Sequence, residues 1–468
     1  MLFSSLSFLT IFLPLTILVY FLSRNRTIQN FILLIASLLF YAWGEPIFIL
    51  LMVMLVGFDY SMVIFIDIFK RREKHQIALY LFILTLVINF ASLGYFKYIN
   101  FFIDNLNLLG FNIAFVEVRL PIGISFYTFQ VVSYVIDAYF NRVKVQHKFY
   151  LLLTYTCLFP QLIAGPIVRY ATIEDELENR KESLNDFNEG IQRFLMGLGK
   201  KVIIANNVAL LANHVFNEIV YPDLNFTFAW LGVIAYTLQI YFDFSAYSDM
   251  AIGLGRIFGF HFLENFNYPY IAKSITDFWR RWHISLSTWF RDYVYIPLGG
   301  NRVGKFRLLI NILVVWLLTG LWHGASWNFV FWGLYFSLFL ILEKFIFGKL
   351  IERIPVIRNL YVILVVMISW ILFNTHDLKH FIMYMTSLFD YKQGFDFTRL
   401  TYSEYLYTWP YLILGFLGST PLIKNLFQWL KKYWLGEVFL ELFLAFVLFV
   451  TIMFLVNDSY NPFIYFRF

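Results

Sequence analysis

Cysteine is nearly absent: Cys157 is the single one in 468 residues. One thiol closes no intrachain disulfide, and no Cys-x-x-Cys or Cys/His spacing suits zinc, so neither a disulfide scaffold nor a metal site is expected. Charge is scarce too. Asp, Glu, Lys and Arg make up 14% of the chain, against about 25% in a soluble globular protein, which excludes a soluble enzyme of ordinary composition. The net charge of +6 has no basic tail or RNA-binding motif behind it, so it is read as cytoplasmic Lys and Arg and no nucleic-acid partner is expected. Walker, Gly-x-Ser-x-Gly, His-Glu-x-x-His and Rossmann patterns are missing. So is any internal repeat, which weakens a secondary-transporter reading. The N-terminus lacks the basic region and small-residue cleavage site of a signal peptide, so Phe8–Phe21 is read as a retained span.

Apolar sequence is what abounds: 60% hydrophobic residues, 22% aromatic, and a mean hydropathy of +0.68. Thirteen apolar runs recur, about ten to twelve of them read as able to cross roughly 30 Å of hydrocarbon. They fall at Phe8–Leu22, Phe31–Trp43, Ile47–Phe69, Ile77–Phe96, Leu120–Phe140, Phe149–Ile167, Gly190–Phe216 and Phe226–Phe242. Later ones fall at Leu308–Trp322, Trp327–Phe347, Leu360–Phe373, Tyr407–Leu422 and Val438–Val456. Several are short or interrupted by Gly, Pro or a polar group, as in broken helices around a cavity. The fold class expected is all-α: a polytopic transmembrane protein of about 11 spans with re-entrant or interfacial helices. One transmembrane domain, 1–468, is expected, with peripheral spans in 1–118, a catalytic core in 119–345 and C-terminal spans in 346–468.

Basic residues orient the spans. Arg24 and Arg26 follow the first run, Lys70, Arg71, Arg72 and Lys74 the third, and Arg142, Lys144 and Lys148 the fifth, whereas Gly44-Glu45-Pro46 follows the second. Lys and Arg favour the cytoplasmic side, so the N-terminus and the Glu45 turn are expected outside. Thr172–Gly190 mixes acids and bases and reads as an exposed surface helix.

Two histidines carry the chemistry. Ser274–Arg302 is too polar to span and too aromatic for a loop. Ser274-Ile275-Thr276-Asp277 is a capping pattern, after which Trp279, Trp282, His283, Leu286, Trp289, Phe290 and Tyr293 share one helical face. An aromatic amphipathic helix at or re-entering the membrane surface is predicted, with an Asp277–Arg281 pair on another stripe. His283 faces the protein interior, as a substrate-site group or as a structural histidine among tryptophans. His323 follows the run Leu308–Trp322, which rises about 22 Å at 1.5 Å per residue from the basic cluster Arg302, Lys305 and Arg307. That places it in the outer half of the membrane, as a functional group or as an interfacial cap. An ionisable group at that depth is costly, and histidine exchanges a proton near neutral pH. Gly324 after it lets the backbone bend or approach a substrate. Asp243 and Asp249 bind a substrate hydroxyl or, better, pair with arginine; Gln130 and Gln161 read as interhelical hydrogen bonds, and Cys157 as packing.

The blocks Phe278–Ser287 and Trp322-His323-Gly324 resemble the membrane-bound O-acyltransferase superfamily. Arg291–Arg302, Phe159–Ile167, Gly199–Ala205 and Tyr460–Phe468 are similar to its bacterial alginate O-acetyltransferase branch. The teichoic-acid D-alanyl transfer branch shares the Arg-Trp-His core but not the Leu298–Arg302 extension. The resemblance implies acyl transfer to a hydroxyl, with His323 the essential catalytic residue and His283 the second polar site residue. The acyl group enters from the cytoplasm and leaves outside, to a partner SGNH-type acyltransferase that modifies a polysaccharide. It also implies a bacterial inner or plasma membrane location and an acyl thioester donor such as acetyl-CoA, with no bound cofactor. In that frame His323 is the general base and His283 positions a substrate or stabilises the oxyanion. Arg280, Arg281 and Arg291 attract the anionic donor, and Trp279, Trp282, Ser285, Trp322 and Asp243 complete the substrate site. Donor inside and acceptor outside require a cavity joining the two histidines. The competing readings are a teichoic-acid D-alanyl transfer component, an acyl or glycan transporter, and a scaffold.

Overall fold

The computed structural model describes residues 1–218, 224–348, 354–391 and 407–457. Secondary structure there is helical, with no strand among the described residues. The Tyr460–Phe468 block lies outside them. Seven helices are long and apolar enough to cross a membrane, among them Phe48–Arg71, Lys305–His323, Trp327–Phe347, Pro355–Asn374 and Trp434–Asn457. Shorter apolar helices cover Phe8–Leu22, Arg26–Ala42 and Trp409–Gly418. The all-α membrane architecture is therefore as expected; fewer helices meet the full length because several runs break. Phe149–Ile167 is one such run: its helices are Phe149–Cys157 and Phe159–Leu162, parted at Leu158 ahead of Pro160. A proline cannot continue the hydrogen-bond ladder of the preceding helix.

The chain divides into two compact units, residues 1–194 with 250–263, and residues 195–249 with 264–468. In the first, Asp59 is fully buried and accepts a hydrogen bond from Asn89 at 2.6 Å, joining Phe48–Arg71 to His75–Leu93. A buried polar pair of this kind ties helices where lipid supplies no hydrophobic drive. Gln161 Nε2 donates to the Tyr155 carbonyl of its own segment. The Gln130 side chain, fully buried, makes no hydrogen bond among the described residues, so it is not the interhelical bond expected of it, whereas the Gln161 bond does join the two short helices Phe149–Cys157 and Phe159–Leu162.

The segment Thr172–Gly190 is not a plain surface helix. The helix Tyr170–Asn179 ends before Arg180, which is 4% exposed. Its guanidinium lies 4.4 Å from the Phe260 ring centroid, and Nε donates to Tyr20 Oη and the Phe258 carbonyl. Glu182 pairs with Arg26. Burying Arg180 is tolerable because an aromatic face and carbonyls replace its water.

Glu45 is likewise buried, at 2% exposure, and its carboxylate meets Arg119 at 3.2 Å. The neighbouring Ile47 is 76% exposed and is the better topology reporter. In a Cys157→Ser background, a cysteine at Ile47 is expected to react with an impermeant maleimide in intact cells, and one at Arg71 only after permeabilisation. The opposite pattern reverses the orientation assigned from charge.

Candidate functional site

The site is built in the second unit on two helices and one broken segment. Lys305–His323 and Trp327–Leu342 pack so closely that a Cβ on Gly320 would stand 2.2 Å from the Phe329 carbonyl oxygen, and one on Gly333 2.2 Å from that of Trp316. Paired glycines let two membrane helices approach backbone to backbone. His323 ends the first helix and is 3% exposed. Its ring packs on Trp332 at 4.9 Å, Trp322 at 5.0 Å and Phe373 at 5.3 Å. Gly324 is extended, at φ −170°, and a Cβ there would meet the Phe329 ring at 2.1 Å. Glycine is needed at that position for space beside Phe329, rather than for a bend.

The aromatic segment differs from the single helix predicted. Ser274 caps Ile275–Trp279 by accepting from Asp277 N, as the pattern indicated, but a second helix begins only at Ile284. His283 stands in the break with left-handed backbone, φ 44° and ψ 54°. A non-glycine residue there costs of order 1–3 kcal/mol and persists only where its surroundings fix it. Asn265, fully buried, does so. Its carbonyl oxygen accepts from Ile284 N at 3.0 Å, and its side-chain oxygen accepts from Ser285 N at 3.2 Å and Ser285 Oγ at 2.9 Å. The same side-chain oxygen lies 3.2 Å from His283 Nδ1. Burial, and behind it the neighbouring His323, hold His283 well below the ordinary imidazole value, so it is neutral. Its ring meets Phe244 edge-on at 4.6 Å and Trp322 at 5.8 Å. The Trp322 indole thus touches both imidazoles.

A cavity of about 830 Å³ lies beside these elements. Its wall contains Trp279 and Trp316, and its polar side carries Lys273, Arg280, Arg291 and Lys344. Trp279 is in the wall, as expected; neither imidazole is. The nearest link is aromatic: Trp279 packs on Trp332 at 5.6 Å, and Trp332 packs on His323. Trp282, 1% exposed, packs instead on Phe278 at 5.6 Å and Trp370 at 5.0 Å.

The remaining residues singled out from sequence separate. Arg280 and Arg291 line the cavity, though Arg291 also meets Asp292 at 2.6 Å. Arg281 does not line it; it pairs with Asp277 at 2.9 Å, as the i,i+4 spacing predicted. Ser285 turns its hydroxyl to Asn265. Asp243 is buried against Lys201 at 2.5 Å, so its cation is a lysine and not the arginine expected, and Asp249 meets Lys200 at 2.7 Å.

Sequence reasoning missed Asn265, Lys273, Glu343 and Lys344. Glu343 accepts from Ile275 N at 2.6 Å and Thr276 N at 3.3 Å, capping the re-entrant helix from a different element. Asn311, fully buried, donates to the Leu298 and Gly300 carbonyls at 3.2 and 3.3 Å. That holds the Leu298–Arg302 turn, whose Gly299 and Gly300 take φ of 103° and 54°. Asn301 Oδ1 accepts from Lys344 Nζ at 2.9 Å, bringing this turn to the cavity rim. Only the glycine pair signalled the turn in advance.

The sequence profile of the membrane-bound O-acyltransferase (MBOAT) family matches residues 141–386. The probable alginate O-acetylase AlgI of Pseudomonas aeruginosa is 43% identical over 385 residues, covering 81% of this chain and 73% of that one. The chain belongs to the membrane-bound O-acyltransferase family. This acyltransferase is also 38% identical to the probable alginate O-acetylase AlgI of Pseudomonas putida over 100% of both chains. The peptidoglycan O-acetyltransferase of Helicobacter pylori is 37% identical over 366 residues, 71% of this chain and 68% of that one. The acyltransferase is thus a polytopic membrane enzyme of the alginate O-acetylase branch, as its Trp-His and Leu298–Arg302 blocks implied. The 100% coverage by the second relative extends the likeness to the spans before Leu120, where no motif was recognised.

Proposed function

We propose that this acyltransferase moves an acetyl group from a cytoplasmic thioester, acetyl-CoA or a similar donor, toward a cell-surface polysaccharide across the bacterial inner or plasma membrane. A partner extracytoplasmic SGNH-type acyltransferase completes the transfer to the glycan. The names of the relatives above support the polysaccharide, and the observation that carries the chemistry is the pair of buried imidazoles on one indole, Trp322, next to a cavity edged by four cations. All four of those cations, Lys273, Arg280, Arg291 and Lys344, are exposed where a phosphate-bearing donor would enter.

In this reading His323 takes the proton of the acceptor hydroxyl as that oxygen attacks the thioester carbonyl. The C–S bond then breaks, and the thiolate leaves with the proton returned from the imidazolium. General-base assistance of this kind contributes about 10² to 10⁴ in rate. His283 holds a substrate group, Trp279 and Trp322 exclude water, and Arg280 and Arg291 hold donor phosphates. Arg281, Ser285 and Asp243 act at one remove, through Asp277, Asn265 and Lys201.

Proteoliposomes supplied with radiolabelled acetyl-CoA and an acceptor test the donor site. The double variant Arg280→Glu, Lys344→Glu is expected to raise KM for acetyl-CoA about tenfold, the equivalent of about 1.4 kcal/mol, with kcat little changed. The effect shrinks as salt rises, because exposed charges are screened. An unchanged KM at low salt removes the cationic cavity from the donor site.

A further inference from the structure

We propose that Asn265 is a positioning residue that locks His283 as the Nδ1–H tautomer, so that His283 presents Nε2 to the reaction as a hydrogen-bond acceptor. The inference rests on the functional reading above and narrows it. The side-chain oxygen of Asn265 accepts from the backbone N–H of Ser285 at 3.2 Å. A backbone N–H only donates, so this atom is the amide oxygen and not the amide nitrogen. The amide nitrogen points the other way and donates to Ser248 Oγ at 3.0 Å. His283 Nδ1 lies 3.2 Å from the same oxygen. Ser285 Oγ also lies 3.4 Å from Nδ1, but it gives its hydrogen to the Asn265 oxygen at the shorter 2.9 Å, and that oxygen has only lone pairs to offer, so Nδ1 carries the hydrogen. In a neutral imidazole the other nitrogen is then the bare one.

The break in the segment makes the arrangement stiff. His283 stands in left-handed backbone, and Asn265 holds the next two residues as well, Ile284 through its own carbonyl and Ser285 through its side chain. Phe244 closes one side of the ring. A ring flip that brought Nε2 to Asn265 would have to pass Phe244 and Trp322, which bracket it at 4.6 and 5.8 Å.

The lock changes the role open to His283. Neutral, it has no N–H to give to a developing oxyanion from Nε2, so oxyanion stabilisation, expected of it from sequence, does not fit. It accepts a hydrogen bond from a hydroxyl of the acceptor other than the attacking one, whose proton goes to His323, and so fixes how the acceptor is oriented. The orienting partner of a catalytic histidine has large effects: with the wrong tautomer a serine-protease triad loses about 10⁴ in kcat.

The test reads the tautomer directly on the intact protein. Wild-type enzyme labelled with 15N-histidine in nanodiscs is compared with His283→Gln, which identifies the His283 signals by their loss. The expected spectrum has a pyrrole-like Nδ1 and a pyridine-like Nε2; a protonated Nε2 overturns the proposal. Turnover supplies a second readout. Asn265→Leu is expected to lower kcat about 10- to 100-fold, by analogy with the loss of an orienting partner from a metal-bound histidine, with KM for acetyl-CoA unchanged. Asn265→Asp, which keeps the acceptor oxygen, is expected to recover most of it. Wild-type kcat in Asn265→Leu also overturns the proposal. A fully active His323→Ala with the expected His283 spectrum defeats the functional reading while leaving the tautomer assignment standing.

Discussion

Cells whose only copy of this acyltransferase is His323→Ala are expected to lose polysaccharide acetylation, while the protein accumulates in the membrane at normal levels. The imidazole is 3% exposed and wedged between Trp332 and Phe373, so its removal leaves a hole as well as removing a base. His323→Gln separates the two effects, because it keeps most of the volume and a polar head but cannot shuttle a proton. Both variants are expected to lose about 10² to 10⁴ in turnover, whereas only the alanine loses thermal stability. Acetyl content on the glycan, read against membrane abundance, checks the pair. Near-normal acetylation in His323→Ala would sink the general-base role, and with it the choice of an enzyme over a transporter or scaffold for this site.

The largest structural effect is expected at Gly333. A Cβ there would stand 2.2 Å from the Trp316 carbonyl oxygen, a backbone atom with no rotamer to yield. Gly333→Val must push the helices Lys305–His323 and Trp327–Leu342 apart, and overpacking of this kind costs roughly 1–3 kcal/mol or more. Because the first helix carries His323 and the second carries Trp332, the separation also dismantles the ring contacts of His323. Loss of activity and a melting midpoint lower by several degrees are expected in detergent. Gly94→Ala serves as the control, since a Cβ at Gly94 meets nothing within 4 Å. A Gly333→Val protein with wild-type midpoint and turnover would show that this close approach is dispensable.

Much of the site was readable because its signals are local. The cap at Ser274 is a four-residue pattern and the Asp277–Arg281 pair an i,i+4 spacing, and Trp279, Trp282, His283, Leu286, Trp289 and Phe290 are buried as read from one helical face, although the helix breaks at His283. The break at His283 was not readable, because the same residues fit one continuous helix by propensity and period. Asn265, 18 residues before it, stabilises the left-handed turn through contacts no spacing rule encodes. Glu343 was hidden for the same reason: its carboxylate caps a helix 68 residues away. Arg180 looked like surface because its immediate neighbours are charged, and only Phe260 and Tyr20 explain why it is buried.

The sequence by itself determined that this is an all-helical membrane protein with an ionisable pair, His283 and His323, set among tryptophans. Apolar run length and the cost of buried charge depend on composition and local order alone. The tertiary structure decided which nitrogen of His283 meets Asn265, which arginines reach the cavity, and that Asp243 faces a lysine. Those are matters of a few tenths of an ångström between residues far apart in the chain, and hydrogen bonds and ion pairs form only where the packed helices put donor and acceptor within reach.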